Sequence, residues 1–187
     1  MKIKQFNYKS VKSTNDIAIK LILEKKIKPT LISSEKQTKG RGTMGKKWIS
    51  QKGNIFISIF FEINQKKINF KQYAILNAYV LKHVIAKFVL RKIRIKWPND
   101  LLYNKDKICG ILQEVININK KDFLIIGIGL NTNNKPKNKS FTSTSLKSII
   151  KKDIDNKIVL KKIKKKYENF LNKIKKYTYL ELKKKYE

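Results

Sequence analysis

Apolar residues in the first half of the chain recur with two different periods, every second position in some segments and every three or four in others. A period of two is typical of a strand, and a period near 3.6 is typical of an amphipathic helix. Residues 54–62 are apolar enough for a strand buried on both faces, whereas 35–52 lack a pattern and predict a long flexible loop. The predicted strands are residues 2–8, 30–34 and 54–62, and the predicted helices follow the N-cap candidates at 13–16 and span 69–89.

The second half begins with a strand that Pro98 should end, because proline lacks an N–H and restricts the residue before it. Two hairpin turns are predicted at 104–106 and 119–121, where polar residues interrupt the apolar ones. A polar loop at 131–139 precedes Ser and Thr residues at 142–145 that can cap a helix. The predicted strands are 93–97, 101–103, 107–115, which overlaps a further strand segment at 113–117, and 123–130. Two helical segments follow, a short one that ends at Ile150 and a long one over 156–187.

This order of elements indicates an α+β fold. A mixed, mainly antiparallel sheet with helices packed on one face accommodates it. A chain of 187 residues can bury a substantial core, and neither an internal repeat nor a low-complexity linker divides the sequence. We therefore expect a single domain over residues 1–187.

The formal charge of +32 is of a size typical of nucleic-acid-binding proteins, whose basic side chains neutralise phosphates. However, among 45 basic residues only Arg41, Arg91 and Arg94 are arginine, the side chain that phosphates and base edges favour. The lysines are spread along the whole chain with many Ile and Asn residues, as a bias towards AT-rich codons would produce. We therefore expect no DNA partner; a balanced base composition of the coding sequence would contradict the codon-bias hypothesis.

Cys109 is the single cysteine, which excludes an internal disulfide and is consistent with a reducing compartment. It lies in a strand-like run without neighbouring Cys or His residues, which predicts a small buried apolar side chain and no metal ligand. No segment resembles a signal peptide or has the apolar length of a membrane span. We expect a cytoplasmic protein with no membrane attachment.

The positions of the glycines give the first indication of a ligand site. The seven glycines fall in four short stretches, and Trp48 and Trp97 lie in or beside two of these stretches. Any one of them could be an ordinary turn glycine or core aromatic. Glycines within a strand, as predicted for Gly127 and Gly129, usually mark the close approach of another group to the backbone. The clustering as a whole favours a ligand site.

Two of these stretches also carry charge suited to an anionic ligand. The loop 37–48 places three glycines around Arg41, so that backbone N–H groups and a guanidinium can meet a phosphate or carboxylate. It is neither a Walker A loop nor a dinucleotide fingerprint, because it lacks Gly-Lys-[Ser/Thr] and opens no helix. Within 96–110, Asp100 and Lys107 are expected at opposite ends of a strand-turn-strand unit that could face an anion.

Five short motifs follow one another along the chain: Ser-Thr-Asn at 13–15, Gly-Arg-Gly at 40–42, Lys-Trp-Pro-Asn-Asp at 96–100, Lys-x-x-Gly-Ile at 107–111 and Gly-x-Gly-x-Asn at 127–131. In this order and spacing they resemble the catalytic domain of bacterial biotin–protein ligases. The resemblance implies the class II aminoacyl-tRNA synthetase-like fold of biotin and lipoate ligases. In that family biotin and ATP form biotinyl-5′-AMP, with Mg²⁺ as the expected counter-ion, and biotin passes to a lysine of the biotin carboxyl carrier protein of acetyl-CoA carboxylase.

The resemblance also implies which residues bind the substrates. Ser13, Thr14 and Gln37 would help to hold the biotin ring system. Trp48 would pack by the adenine, and Asn131 would lie on the nucleotide side. The further substrate-binding residues expected from the same motifs are Asn15, Gly40, Gly110, Gly127 and Gly129.

Fixed positive charge is what this chemistry needs, because a carboxylate that attacks a phosphate brings two anions together. The resemblance implies that Arg41 and the amides of Gly42 and Thr43 cover the carboxylate and phosphate, and that Lys107 lies on the bridging oxygens. Asp100 would orient or deprotonate the acceptor lysine, although a turn aspartate bonded to its own backbone is the alternative. The predicted catalytic residues are therefore Arg41, Asp100 and Lys107.

The chain departs from the family pattern in three respects. Thr43 stands where members commonly have another arginine, which predicts weaker retention of the adenylate. The first motif starts too near residue 1 for the winged helix-turn-helix of repressor-type members. The sequence ends at Glu187 on a lysine-rich helix, where members usually continue into a small β-barrel domain, so lower catalytic efficiency is expected.

Three other functions remain alternatives. Lipoate–protein ligases share the fold, although their Arg-Arg-x-x-Gly-Gly-Gly pattern is absent from the sequence. A basic nucleic-acid-binding module would use the charge and would lose affinity steeply with salt. The third is an inactive binder of biotin. A homodimer is possible in each case, because the sequence does not specify an oligomeric state.

Overall fold

The structure is a computed structural model, and it describes residues 1–90, 92–136 and 142–187. Its strands are β1 (Lys4–Tyr8), β2 (Thr30–Ser34), β3 (Ile55–Ile63), β4 (Ile93–Lys96), β5 (Asp100–Tyr103), β6 (Asp106–Ile118) and β7 (Lys121–Leu130). Its α-helices are α1 (Thr14–Leu23), α2 (Phe70–Ile85), α3 (Leu146–Ile150), α4 (Asn156–Lys176) and α5 (Tyr179–Tyr186). The element order predicted from the periodicity is confirmed.

The strands form one seven-stranded sheet in the order β1-β2-β3-β7-β6-β5-β4. Only the β1–β2 pair is parallel among the paired strands, and α1 makes the crossover that a parallel pair requires. The α+β class with a mixed, mainly antiparallel sheet is therefore confirmed. The central strands β3 and β7 pair along nine residues, from Ile55 opposite Leu130 to Ile63 opposite Asp122.

Helices cover both faces of this sheet, so the prediction that they pack on one face is wrong for α1. Ile57 and Ile59 of β3 point into the larger core with α2, α4 and α5, whereas Phe60 points into a second cluster with Ala18 and Ile22 of α1. Because β3 and β7 are apolar on both faces, each face needs a cover. The face covered by α1 also carries the candidate site.

The predicted helix 69–89 ends earlier, at Ile85, although Phe88 and Val89 still pack against the core. The Phe88 N–H donates to the Ile85 carbonyl at 2.9 Å, so the chain turns while its apolar side chains stay inward. At the start of the helix, Asn69 and Gln72 form a capping box. Apolar spacing alone does not distinguish a last helical turn from the tighter turn that follows.

The C-terminal segment is two helices rather than the continuous helical stretch predicted for 156–187. The break lies at Tyr177 and Thr178, and Thr178 caps α5 in a box with Glu181. The side-chain oxygen of Thr178 satisfies an N–H at the start of α5, which favours a new helix start over continuation. The Thr-x-x-Glu sequence was the available signal for this break.

Turn residues with positive φ shape the hairpins. Asn119 and Lys120 have φ values of 51° and 62°, so the β6–β7 turn has two residues instead of the predicted three. In the predicted polar loop 131–139, residues 137–139 lie outside those the structure describes. Within the described ranges, no helix has both the length and the apolar character needed to cross a membrane.

Candidate functional site

Three glycines leave part of the sheet without side chains on the face covered by α1. Gly110 of β6 pairs with Gly129 of β7, and Gly127 lies two residues before Gly129 on the same face. A Cβ atom at Gly127 would lie 2.5 Å from the side-chain oxygen of Asn15. The prediction that another group approaches the backbone closely at these glycines is confirmed. We call the surface formed by Gly110, Gly127 and Gly129 the glycine platform.

The indole of Trp48 lies on the glycine platform. A Cβ atom at Gly110 would be 2.5 Å from the Trp48 ring, and one at Gly129 would collide with the indole nitrogen and the ring carbon bonded to it. The ammonium of Lys107 is 5.0 Å from the centre of the Trp48 ring, within the range of a cation–π contact. Trp48 and Lys107, which are 59 positions apart in sequence, therefore share one surface.

Polar side chains at the start of α1 form the floor of a pocket beside the platform. Gln37 accepts hydrogen bonds from the backbone N–H of Thr14 at 2.8 Å and from its hydroxyl at 3.1 Å. The single hydroxyl proton of Ser58 on β3 is shared between the Thr14 hydroxyl, at 2.7 Å, and the side-chain oxygen of Asn15. Ser13 is the N-cap residue, but its side chain makes no capping bond and lines the pocket instead. The structure thus brings together the residues predicted to hold the biotin ring system.

The glycine-rich loop folds back on itself instead of standing open. Trp48 N–H donates to the Gly40 carbonyl at 2.9 Å, and Gly42 N–H donates to the Lys46 carbonyl at 2.6 Å. The Gly42 amide, predicted to cover a carboxylate or phosphate, is therefore engaged within the loop. The Thr43 hydroxyl accepts from the side-chain amide of Asn99 at 3.3 Å, which ties the loop to the Lys-Trp-Pro-Asn-Asp segment.

Arg41 lines the pocket, and two acidic side chains of the protein hold its guanidinium. Both oxygens of Glu114 accept from the guanidinium at 2.9 Å in a bidentate pair. Asp16 lies 3.1 Å from the same group. The side-chain amide of Asn15 also donates to Glu114, at 2.6 Å. Arg41 is thus connected to the pocket floor through Glu114.

Asp100 and Lys107 form an ion pair, so the prediction that they lie at opposite ends of their hairpin is wrong. The Lys107 ammonium is 2.7 Å from the Asp100 carboxylate, and the side chains are 16% and 19% exposed. A shift in register between Leu101 and Leu102 breaks the simple pairing from which separation was expected. Asp100 is therefore placed beside the cation that was predicted to stabilise the adenylate.

Cys109 is fully buried beside this pair. Burial raises the pKa of its thiol, with a smaller contribution in the same direction from the nearby Asp100 carboxylate. A thiol with a raised pKa is a poor nucleophile and a poor metal ligand. Its interpretation as a small apolar core residue is confirmed.

Asn131 and Asp100 do not line the pocket, although both are close to Lys107. The Asn131 side chain is 1% exposed and donates to the Thr144 carbonyl at 3.1 Å and to the Lys107 carbonyl at 3.5 Å. Its backbone N–H donates to the Ile108 carbonyl at 2.9 Å. In the structure Asn131 fixes the start of β6 against the chain after β7, and its predicted contact with a nucleotide stays a prediction.

The pocket holds about 90 Å³ of free space, and ligand sites typically have roughly 300–1,000 Å³. Trp48 on the platform and the folded loop account for this small volume. A ligand with a purine and an acyl group therefore needs Trp48 and the loop to shift. The predicted site residues in its lining are Ser13, Thr14, Asn15, Gln37, Arg41, Gly42, Thr43, Trp48, Lys107, Gly110, Gly127 and Gly129. Gly40 is not in the lining, but Trp48 and Ser50 lie too close to it to leave room for a Cβ atom.

Sequence reasoning missed four side chains of this network. Glu114 lies three residues after the Lys-x-x-Gly-Ile motif at 107–111, and Asn99 lies within the Lys-Trp-Pro-Asn-Asp motif, but neither was predicted as a site residue. Ser58 was detectable as a polar residue with apolar neighbours on both sides inside the strand 55–63. Ser50, which accepts from the Gln37 amide at 2.9 Å, had no signal in the unpatterned loop.

A resident metal centre built from protein side chains is not found in the part of the chain that the structure describes, where no three His, Cys, Asp or Glu residues cluster suitably. Mg²⁺, however, commonly takes one or two protein ligands, and water and phosphate supply the rest. The Asp100 carboxylate and the buried side-chain oxygen of Asn131, which has no hydrogen-bond partner among the described residues, are of the oxygen type that it prefers. Neither oxygen lines the pocket, so these residues do not by themselves form a Mg²⁺ site, and water and phosphate would supply the ligands of an ion that enters with ATP.

The fold and site together define a member of an acyl-group ligase family. Residues 8–131 match the Biotin/lipoate A/B protein ligase family, and the chain belongs to that family. The match begins just before the pocket floor and ends at Asn131, so it contains every predicted site residue.

Individual relatives agree with this assignment. The chain is 37% identical to the bifunctional ligase/repressor BirA of Bacillus subtilis over 109 residues, which is 57% of this chain and 34% of that protein. It is 30% identical to the biotin–[acetyl-CoA-carboxylase] ligase of Mycobacterium tuberculosis over 121 residues, 62% of this chain and 44% of the relative. The chain thus spans between a third and a half of these relatives.

A solved structure is similar over almost the whole chain. The biotin protein ligase from Aquifex aeolicus in complex with biotin and ATP superposes with a TM-score of 0.79 and is 32% identical. The similarity covers 98% of this chain and 77% of that one.

Proposed function

We propose that the protein is an ATP-dependent biotin–protein ligase. It condenses biotin with ATP to biotinyl-5′-AMP and then transfers biotin to a lysine of a carrier protein. One observation carries the proposal: three features lie together on one face of the sheet. They are the polar pocket at the start of α1, the glycine platform, and the two cations Arg41 and Lys107. The Aquifex relative, which binds biotin and ATP, supports it.

In this proposal the pocket floor recognises the ring system of biotin. The hydroxyls of Ser13, Thr14 and Ser58 and the amides of Asn15 and Gln37 supply donors and acceptors in a buried setting. All except Gln37 are at most 3% exposed. A buried polar pocket rejects ligands that leave its groups unpaired, so these residues provide specificity for a polar ring over an aliphatic chain.

Arg41 and Lys107 supply the positive charge that the adenylation step needs. Attack of the biotin carboxylate on the α-phosphorus forms the acyl–phosphate bond and expels pyrophosphate, and negative charge accumulates on the phosphate oxygens. Fixed cations in a partly buried site stabilise that charge without reorganisation. Lys107, held against Asp100 and beside Trp48, is positioned at the edge of the platform.

Asp100 would act in the transfer step. The acceptor lysine must pass a proton to Asp100 or to water before its amine attacks the acyl carbon, and AMP then leaves with the electron pair of the acyl–phosphate bond. A carboxylate paired with Lys107 can orient the incoming ammonium by exchange of ion-pair partners. When Mg²⁺ binds with ATP, the ion would neutralise phosphate charge, with water and phosphate oxygens as most of its ligands.

The proposed partner is the biotin carboxyl carrier protein of acetyl-CoA carboxylase, in line with the name of the Mycobacterium tuberculosis relative. A homodimer, a cytoplasmic location and the lack of a DNA partner remain predictions. The salt dependence of binding to a nonspecific duplex would test the last of these, since phosphate contacts give a steep loss of affinity with salt.

The decisive experiment mixes the protein with ATP and Mg²⁺ and measures pyrophosphate release with biotin, with lipoate and with neither. We expect release that depends on biotin. Release with lipoate but not biotin would assign the protein to the lipoate branch of the same family. Absence of release with both, together with biotin binding in calorimetry, would identify an inactive binder.

A further inference from the structure

Glu114 is the residue through which the pocket floor and the glycine-rich loop meet. Its two carboxylate oxygens accept from both terminal nitrogens of Arg41 at 2.9 Å and from the Asn15 amide at 2.6 Å. These donors come from α1 and from the loop, while Glu114 itself lies on β6. One carboxylate thus joins three parts of the chain that are far apart in sequence.

We propose that Glu114 is a positioning residue that fixes the guanidinium of Arg41 over the pocket and couples it to Asn15. This inference rests on the proposed function, because it assigns Glu114 a role in the same site. A bidentate pair sets the plane of a guanidinium as well as its location. A single hydrogen bond would leave the long arginine side chain free to rotate.

The anchor of this arrangement is buried. Asn15 is 3% exposed, its side-chain oxygen accepts from Ser58, and it packs directly on Gly127. Glu114 therefore receives its third hydrogen bond from a side chain that cannot easily move. The network runs from the buried β3 strand through Asn15 and Glu114 to Arg41 at the surface.

The pairing also decides which part of Arg41 remains for a ligand. Glu114 accepts one N–H from each terminal nitrogen of Arg41, and an Asp16 oxygen lies 3.1 Å from one of these nitrogens. A substrate carboxylate or phosphate would bind through N–H groups that Glu114 does not occupy. Without Glu114, only the contact with Asp16 would remain, which does not set the plane of the guanidinium, and a displacement of the order of 1 Å can cost about 100-fold in rate.

An exposed ion pair would have little effect of this kind, because exposed pairs contribute roughly 0–1 kcal/mol and are readily exchanged with water. Glu114 differs because its side chain is 26% exposed and it takes part in a bidentate pair with a further buried donor. Glu62 provides a matched control. Its carboxylate pairs with Lys121 at 3.2 Å, and the two side chains are 46% and 51% exposed.

The first test does not need enzymatic activity. The sequence has only three arginines, so an arginine-specific protease can cut after Arg41, Arg91 and Arg94. We expect Glu114→Gln to raise the rate of cleavage after Arg41 at least fivefold relative to cleavage after Arg94, because the guanidinium is released. Glu62→Gln should leave this ratio unchanged. An unchanged ratio in Glu114→Gln overturns the proposal.

The second test measures biotin-dependent turnover in a double-mutant cycle. Glu114→Gln should lower kcat/KM for biotin about tenfold, and the same change in an Arg41→Lys background should lower it less than twofold, because the two residues act as one unit. Additive losses, or a gain in activity from Glu114→Gln, overturn the proposal. If the wild-type protein shows no biotin-dependent turnover, the proposed function fails, and the protease test still decides whether Glu114 fixes Arg41.

Discussion

At the scale of single residues, both cations of the site are held by carboxylates of the protein. Arg41 is paired with Glu114 and Asp16, and Lys107 is paired with Asp100. The sequence motifs predicted both cations at one site, and the structure places both in the lining of one pocket, but the motifs did not indicate their acidic partners. The pairing of each cation with its carboxylate depends on the register of β5 with β6 and on the path of the glycine-rich loop. Apolar periodicity determines neither of these.

The Lys107–Asp100 pair leads to a prediction about stability. Both side chains are more than four-fifths buried, and removal of one partner leaves the other charge uncompensated. We expect Lys107→Ala to lower the free energy of unfolding by about 3 kcal/mol, measured by urea denaturation. The double variant Lys107→Ala/Asp100→Ala should recover at least about 1 kcal/mol of that loss. A loss in the double variant equal to the sum of the losses in Lys107→Ala and Asp100→Ala would show that the pair is not coupled.

Thr43 leads to a prediction about the intermediate. Its hydroxyl contacts Asn99 and brings no charge to the loop, where relatives with another arginine would have a guanidinium. We expect Thr43→Arg to slow the release of labelled biotinyl-5′-AMP from the protein about tenfold, the equivalent of roughly 1.4 kcal/mol. Thr43→Lys serves as a control for charge without the bidentate fork. Release at the wild-type rate in both variants would contradict the prediction.

At the scale of elements, the sequence predicts segments well where one apolar period dominates. Strand β2 lies where it was predicted, and β3, which is apolar on both faces, differs by one residue at each end. The errors occur at ends and breaks, as at Ile85 and Tyr177, where the side chains stay in the core while the backbone changes course. The spacing of apolar residues does not show where the backbone leaves the helix, because the buried side chains continue past that point. Capping residues in the sequence indicate some of these ends but not all.

The start of α5 offers a test at this scale. Thr178 accepts from the Glu181 N–H, and Glu181 accepts from Thr178, so two N–H groups of the first turn depend on this box. We expect Thr178→Ala to lower the free energy of unfolding by about 1 kcal/mol. The exposed Ser10, which lies outside any helix, gives the control Ser10→Ala. A loss no larger than that of the control would show that the packing of Leu182 and Tyr186 alone sets the start of α5.

At the scale of the whole molecule, fold and site differ in how far the sequence specifies them. The sheet and its helices are predicted from apolar periodicity, to which many residues contribute. One atypical residue therefore does not change the predicted element. The site depends on particular contacts, such as Trp48 on Gly129 and Glu114 on Arg41, which join residues that are more than 70 positions apart. Glycine clustering indicated where the site lies, whereas only the packing of α1 and the loop on the sheet shows how its side chains are paired.

Buried tyrosines give the molecule a predicted sensitivity to alkaline pH. Burial raises the pKa of Tyr73 and of Tyr186 to about 12, and it also raises the pKa of Tyr167. Because these pKa values are higher in the folded than in the unfolded chain, their contribution is complete below about pH 10 and is lost as pH rises towards 12. The free energy of unfolding should therefore fall between pH 10 and 11.5.

Tyr186→Phe isolates this contribution, because it keeps the ring in the core and removes the ionisable hydroxyl. At pH 11 the variant should lose less stability than the wild type by about 1 kcal/mol, measured by urea denaturation relative to pH 8. Deprotonation of lysines also relieves the mutual repulsion of a chain with a formal charge of +32, which acts in the opposite direction. Measurements in 0.5 M salt screen that repulsion in both proteins. Parallel pH profiles for the two proteins would show that the Tyr186 hydroxyl titrates alike in the folded and unfolded chain.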